Sequence, residues 1–498
     1  MTLHVGRPFG RAVPESFALW RAQYPRFGAL IDDGGPQQRA LRYLGLALWE
    51  DGRLADAANV LSQAAALAPP DPTILGELGS VLCAAGRKVE ALRHLTMSLN
   101  LAPDRTAVWL TVAGLCVELG NKETAEKAFR AALELDPASA DAAAGLGLLC
   151  IGDRRFDEAA QLLSAAVARG VTAMPVYACL GQTLFLLGEF SKAGAALEKA
   201  ARACPGEARI IQKYAEARLI ETLIEGPVIE AIEVYLSVAG RHSGNLIVVC
   251  GKAFQILCVY GKNEAAIRLG EVLLKRTPDD PIVAYHLDAL RGRPRERAPD
   301  AYLTASFGAY AADFDRHLVE VLGYRVPEKM PALLGQAGRA FARILDLGCG
   351  TGLAAPYLSS LGGRLTGLDI SPLMLEKARE RNAYETLIEG EAIAYLTGEA
   401  APFDLIVALD VLIYFGALSA LFAAVAGRLA PGGCFVCSFE TAPCDGHTLQ
   451  ASGRFAHDPA YVEAICAARF ETVAAESTTL RFEANHAVAG QLLLLRRV

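Results

Sequence analysis

Small and large apolar positions recur in the first half of this chain at a fixed interval of 34 residues. Gly45, Gly79, Ala113, Gly147 and Gly181 place a small residue once per interval. Ala57, Ala91, Ala125, Ala159 and Ala193 follow twelve positions later, and Leu61, Leu95, Phe129, Leu163 and Leu197 four beyond that. Pro69, Pro103, Pro137 and Pro205 close most of the units. This pattern predicts pairs of antiparallel helices. The small residues let the two helices approach, and the large ones are expected to fill the gap to the next pair. One such unit cannot bury its own apolar face, so several must stack.

A 34-residue period is that of tetratricopeptide (TPR) repeats. Past Pro205 the register loosens, with a helix pair over 208–224 and 228–238 and a last unit from 246 to 278. A capping helix is expected over 281–290. The expected organisation is an irregular N-terminal cap over 1–37, a repeat array over 38–290, a linker over 291–299 and a second domain over 300–498. The linker carries Arg291, Arg293, Arg295 and Arg297 between prolines. It reads as a solvated tether rather than a nucleic-acid patch. On fold analogy the array offers a groove for a protein partner, the alternative being self-assembly into a homo-oligomer or rigid spacing.

After the linker the period changes. Strand and helix signals alternate to the C-terminus, the pattern of a mostly parallel α/β sheet. Strands are expected over 343–347, 364–369, 386–389, 403–408 and 433–440, then over 471–482 and 489–497 as an antiparallel hairpin turning at Ala484-Asn485. Ser371-Pro372 caps a helix running to Arg381, and His457-Asp458-Pro459 is read as the start of another. The fold class is thus an all-α solenoid followed by a seven-stranded Rossmann-like α/β domain. Ligands of such sheets sit at the C-terminal ends of the strands.

Charge narrows the function. Residues 301–498 hold 15 Lys and Arg against 21 Asp and Glu, nearly all of the net −7. An acidic second domain lacks the basic face that phosphate neutralisation needs, so nucleic acid is not expected as a substrate. No apolar run approaches the ~18 residues of a membrane span, and the first 27 residues lack a signal-like core, so a cytoplasmic, membrane-free protein is expected. Of the twelve cysteines, Cys434-x-x-Cys437 with Cys444 looks like half a zinc site. Residues three apart on a strand face opposite sides, however, and no second pair follows, so no metal is expected.

The first of those strands runs into Asp346-Leu347-Gly348-Cys349-Gly350-Thr351-Gly352, and the second ends in Asp369. The D-x-G-x-G-x-G turn and an acid 17 residues after its last glycine resemble the motif of class I S-adenosylmethionine (AdoMet) methyltransferases. The resemblance extends to residues 307–318, Asp369-Ile370-Ser371-Pro372, Phe403-Asp404 and 452–461, where it is similar to the ubiquinone- and biotin-pathway enzymes and to bacterial TPR-bearing methyltransferases. It implies that Gly348, Cys349, Gly350 and Gly352, with Asp346, pack against the methionine part of AdoMet. Asp369 would accept the ribose hydroxyls, beside Ile370. Glu391, where the family normally has Asp, would contact the adenine amine, beside Ala392. Tyr310 and Phe314 would belong to a lid helix, and Asp410 and Tyr414 would border the methyl-transfer position.

Methyl transfer from AdoMet needs positioning, exclusion of water and, for hydroxyl or amine acceptors, a base. Candidates are His447, His457 and Arg454, after the fifth strand, with Arg454 suited to an anionic acceptor. Three readings follow: a methyltransferase whose array recruits a protein substrate or partner, a small-molecule methyltransferase whose array is a scaffold, and a binding protein with an inactive domain.

Overall fold

The computed structural model describes residues 16–32, 37–67, 69–311, 313–399, 401–483 and 486–498. It divides into two compact units. One comprises residues 1–184 with 202–204, the other 185–201 with 205–498.

The first unit is helical. Gln37–Glu50 pairs with Leu54–Ala65, Pro72–Ala84 with Lys88–Leu101, Thr106–Glu118 with Lys122–Leu135, and Ala140–Gly152 with Phe156–Ala168. The small–large pattern works within a pair rather than across to the next one. A Cβ on Gly45 would stand 2.6 Å from Leu61 Cγ, one on Gly79 2.4 Å from Leu95 Cγ, and one on Gly147 2.8 Å from Leu163 Cγ. Each large side chain thus covers the bare backbone of its own partner helix. Phe129 reaches across as expected, its ring lying over Gly145 in the first helix of the following pair. Residues 16–32, expected to be irregular, form two helices, Ser16–Gln23 and Pro25–Asp32. They bury Trp20 and Phe27 in the same core as the repeats.

In the second unit Ala208–Glu225 pairs with Val228–Ala239 and Leu246–Val259 with Asn263–Arg276, followed by the single helix Pro281–Leu290. Asp280 caps that helix, accepting from Ile282 and Val283, with Pro281 at its first position. The α/β domain then builds a sheet from β1 (Arg343–Leu347), β2 (Arg364–Asp369), β3 (Thr386–Glu389), β4 (Phe403–Ala408), β5 (Leu429–Thr441), β6 (His447–Leu449), β7 (Phe455–His457), β8 (Phe470–Glu483) and β9 (His486–Arg497). The order β3-β2-β1-β4-β5 is parallel. β9 runs antiparallel to both β5 and β8. The seven expected strands are joined by two short ones, β6 and β7, paired with each other and, through β7, with the end of β5. The turn at Ala484-Asn485 lies outside the described residues.

Alternate residues of each central strand enter two separate cores. Leu345, Ile406, Phe435 and Leu493 lie on one face, Ile344, Leu405, Val436 and Leu494 on the other. Cys434 and Cys437 fall on opposite faces by the same alternation. Among the described residues no cluster of three His, Cys, Asp or Glu could hold a metal. None of their helices is long and apolar enough to cross a membrane.

Candidate active site

The turn after β1 uses its glycines for their backbone. Gly348, Gly350 and Gly352 have φ of 70°, 55° and 82°, a region side-chain-bearing residues avoid. The turn hangs on β2, since Gly348 and Cys349 N–H both donate to Leu368 O at 2.8 and 2.9 Å. Asp369 ends β2 and accepts Gly350 N–H on Oδ2 and Ser371 N–H on Oδ1, both at 2.8 Å. It is 8% exposed. Burial pushes its carboxyl up, opposed by these backbone donors.

Asp346 is deeper still. Burial pushes its carboxyl up to about 7 while it accepts the Tyr384 hydroxyl at 2.6 Å. The Tyr384 ring packs under the turn, so that a Cβ on Gly352 would meet it at 3.0 Å. Below the turn, Thr351 and Arg381 both bond Asp315 of the short helix Phe314–Arg316, and Arg381 Nε also donates to Thr351 O at 2.6 Å.

A cleft opens at this edge of the sheet. Gly348, Asp369, Ile370, Glu391, Ala392, Asp410 and Tyr414 all line it. Glu391 caps the helix Ala392–Thr397 by accepting Ala394 N–H at 2.8 Å. Asp410 has a φ of 58°, donates its N–H to Ser438 Oγ at 2.9 Å, and accepts from Arg481 at 3.0 Å. The Tyr414 phenol is pushed up by burial, so it stays protonated.

The other candidates stand elsewhere. Asp346 lies behind the turn, and Cys349, buried with Leu375 and Tyr384, has a thiol that burial pushes far up. Gly350 and Gly352 shape the turn without facing the cleft. The Phe314 ring stands edge-on to Phe307, at 6.3 Å, and Phe307 itself reaches the cleft and Tyr414. Tyr310 ends the helix Asp300–Tyr310, and its side chain lies outside the described residues.

The two histidines and Arg454 are not among the residues that line the cleft. His457 is the last residue of β7, not the first of a helix. It is wholly buried, and its Nε2 faces Phe415 O at 2.8 Å and Gly416 O at 3.2 Å. Nε2 therefore carries the proton and donates it to a carbonyl, and burial pulls the imidazole down to about 4. It anchors the loop after β4 from behind. His447 packs beside it against Gly416 and Tyr461. Arg454 ion-pairs with Glu483 rather than standing free for an anion. Burial works against its charge, but Glu483, Glu440 and Asp410 overcome that and hold it firmly protonated.

Two groups of residues escaped the sequence reading. Arg481, Glu440 and Glu483 form a buried ionic cluster around Asp410. Arg297 and Ala298 of the supposed tether line the cleft itself. Each linker arginine has found an acid: Arg291 bonds Glu271 at 2.6 Å, Arg293 and Arg295 bond Asp288, and Arg297 bonds Glu391.

Residues 344–433 match the family model described as a methyltransferase domain, and residues 48–115 and 85–221 match tetratricopeptide repeat models. The chain is 37% identical over 94 residues to the ubiquinone biosynthesis O-methyltransferase of Methylocella silvestris, covering 18% of this chain and 37% of that one. It is 36% identical over 105 residues to the malonyl-[acyl-carrier protein] O-methyltransferase of Salmonella typhimurium, covering 21% and 39%. The chain thus spans about two fifths of the length of these relatives. It is also similar to a solved structure of magnesium protoporphyrin IX methyltransferase from Synechocystis with bound SAM, at 22% identity and a TM-score of 0.28, covering 34% of this chain and 78% of that one. The chain therefore carries tetratricopeptide repeats followed by a methyltransferase domain.

Proposed function

We propose that this protein is an AdoMet-dependent methyltransferase whose repeat array recruits a protein substrate or partner. The observation that carries the reading is the convergence of Gly348, Asp369, Ile370, Glu391, Ala392 and Asp410 on one cleft, drawn from the ends of β1 to β4. The bare backbone of Gly348 forms part of its floor, where a Cβ would stand 2.5 Å from Val411 Cγ2. Asp369 keeps a second lone pair on each carboxylate oxygen for ribose hydroxyls.

When bound, AdoMet supplies a methyl group already activated by its sulfonium. The chain's own work is then binding, orientation and exclusion of water. Asp369 and Glu391 hold the adenosine half. Phe307 and Tyr414, edge to face at 5.5 Å, wall off solvent. Tyr414 keeps its phenolic proton and serves as a hydrogen-bond donor, not as a base. Asp410, held by Arg481, borders the methyl-transfer position and would orient an acceptor or take its proton.

A second reading has a small-molecule acceptor, with the array as an assembly scaffold. The apolar walls of the cleft at Leu303, Phe307 and Tyr414 favour it, as do relatives named for small acceptors. An inactive domain is the third reading, and the intact glycine turn and Asp369 speak against it.

The test is calorimetry with S-adenosylhomocysteine on the wild-type protein and on Asp369→Ala. Losing a charged acceptor shared by two hydroxyls should weaken binding by more than about tenfold. Equal affinity in the folded variant refutes the cofactor role of Asp369. Capture of partners on the full chain, followed by radiolabelled AdoMet, then separates the two acceptor readings by whether label enters protein.

A further inference from the structure

We infer that Arg297 is a cofactor-positioning residue, and that the segment from Glu296 to Asp300 is a wall of the cofactor cleft. This rests on the reading of the cleft as the AdoMet site. The segment follows the last repeat helix, and it is fixed along its length. Gly416 and Ala417 N–H donate to Glu296 O at 2.7 and 3.1 Å, and Ala298 N–H donates to Tyr414 O at 2.8 Å. Arg297 and Phe415 thus face each other as an antiparallel bridge. Upstream, the helix Pro281–Leu290 lays Tyr285 on Tyr302, with ring centroids 4.2 Å apart, and brings His286 Nδ1 to 3.3 Å from Ala451 O.

Arg297 itself reaches Asp300 at 3.1 Å and Glu391 Oε1 at 2.8 Å. Glu391 is therefore held from two sides, by the Ala394 N–H on Oε2 and by Arg297 on Oε1. A carboxylate so clamped presents its remaining lone pairs in a fixed direction, which is what recognition of an adenine amine requires. Among the described residues lining the cleft, Arg297 is also the one cation beside four acids, Asp300, Asp369, Glu391 and Asp410. A solvated tether would use none of these contacts. Their consequence is that cofactor affinity depends on a residue contributed from the repeat-array side of the chain.

The experiment uses the full chain and S-adenosylhomocysteine as probe, with Arg297→Ala, Arg297→Lys and Asp369→Ala beside wild type. Arg297→Ala should lose about tenfold in affinity, as expected for a lost charge-assisted clamp, with the melting temperature of the ligand-free protein unchanged. Arg297→Lys should recover most of that loss, because a cation is restored next to Glu391. Unchanged affinity in a folded Arg297→Ala protein overturns the inference. So does a loss that tracks a fall in melting temperature and that lysine fails to restore, which would make Arg297 merely structural. If wild type itself fails to bind, or Asp369→Ala binds as tightly, the cofactor reading falls, and this inference with it.

Discussion

Arg481, with no exposed surface, donates from Nη1 to Asp410 Oδ1 at 3.0 Å. Its Nε donates to Glu483 Oε1 at 2.7 Å, and Nη2 meets Glu440. The register of β8 shifts between Thr479 and Arg481, a bulge that re-aims the guanidinium toward the cleft edge of the sheet. Asp410, in its left-handed conformation just after β4, is thereby tied to the C-terminal hairpin. Buried charge is tolerated here only because each guanidinium is matched by carboxylates.

Arg481→Met should therefore be among the most damaging substitutions in the domain. It leaves Asp410, Glu440 and Glu483 buried together with one remaining partner, Arg454. The expected loss is about 3–5 kcal/mol of unfolding free energy, read by denaturant titration. A loss under about 1 kcal/mol would mean that the acids reach solvent or become neutral by taking up protons.

Gly79 and Leu95 offer a test of how the repeats close. Gly79→Ala forces a Cβ to within 2.4 Å of Leu95 Cγ, and overpacking of this kind costs about 1–3 kcal/mol. Leu95→Ala alone opens a cavity, costing about 2–5 kcal/mol. Combined, the new methyl occupies part of the space vacated, so the double variant should be more stable than the sum of the singles predicts. Strict additivity in a double-mutant cycle would show that the two positions do not touch.

The repeat half was legible because its signal is periodic and local. The parallel strands were legible for a similar reason, since each lies in a short apolar run between turn residues. What escaped depends on partners distant in sequence. Arg297 finds Glu391 94 positions away and Arg481 finds Asp410 71 positions away, so nothing near either arginine distinguishes it from a solvated one. Around His457 the helix-start signal was correct for Asp458, whose carboxylate accepts Ala460 N–H, and for Pro459. The residue before the cap pairs with Thr441 of β5 instead, which turns its ring inward.

His457 gives a prediction with a definite sign. Its imidazole is pulled down to about 4 in the folded state, against about 6.5 in an unfolded chain. Between those values the unfolded state binds the proton and the folded state does not, so stability falls as pH drops from about 6.5 toward 4. Above that window both states are neutral and the term vanishes. Asp346, raised to about 7, works in the opposite direction, so comparison with a variant is needed. His457→Gln keeps a donor for Phe415 O and removes the titration. Relative to wild type it should gain on the order of 2–3 kcal/mol between pH 7 and pH 4, measured by denaturation across that range. Parallel pH profiles would show that the ring titrates normally.

Tyr384 and Asp346 give the complementary case. The Tyr384 hydroxyl donates to Asp346 Oδ2 at 2.6 Å while its ring supports Gly352 and Gly367. Tyr384→Phe keeps the ring, so only the hydrogen bond is lost. Burial has already raised Asp346 to about 7, and the Tyr384 hydroxyl opposes that rise. Without it the carboxyl should titrate higher still. A folded-state value above the unfolded one means that the protonated acid is the form favoured by folding. Stability from that protonation is complete below about 4 and is lost as pH climbs through the folded value. The hydroxyl matters most where the acid is charged, because a bond to a carboxylate contributes about 1.5–3 kcal/mol and one to a neutral acid about half as much. Tyr384→Phe should therefore cost most at pH 8 and visibly less at pH 5, with denaturant midpoints as the measurement. Because Asp346 is the last but one residue of β1, two before Gly348, affinity for S-adenosylhomocysteine should weaken in parallel at pH 8. An equal cost at both pH values would mean that Asp346 is ionised throughout, and that the bond from Tyr384 outweighs burial in setting its charge.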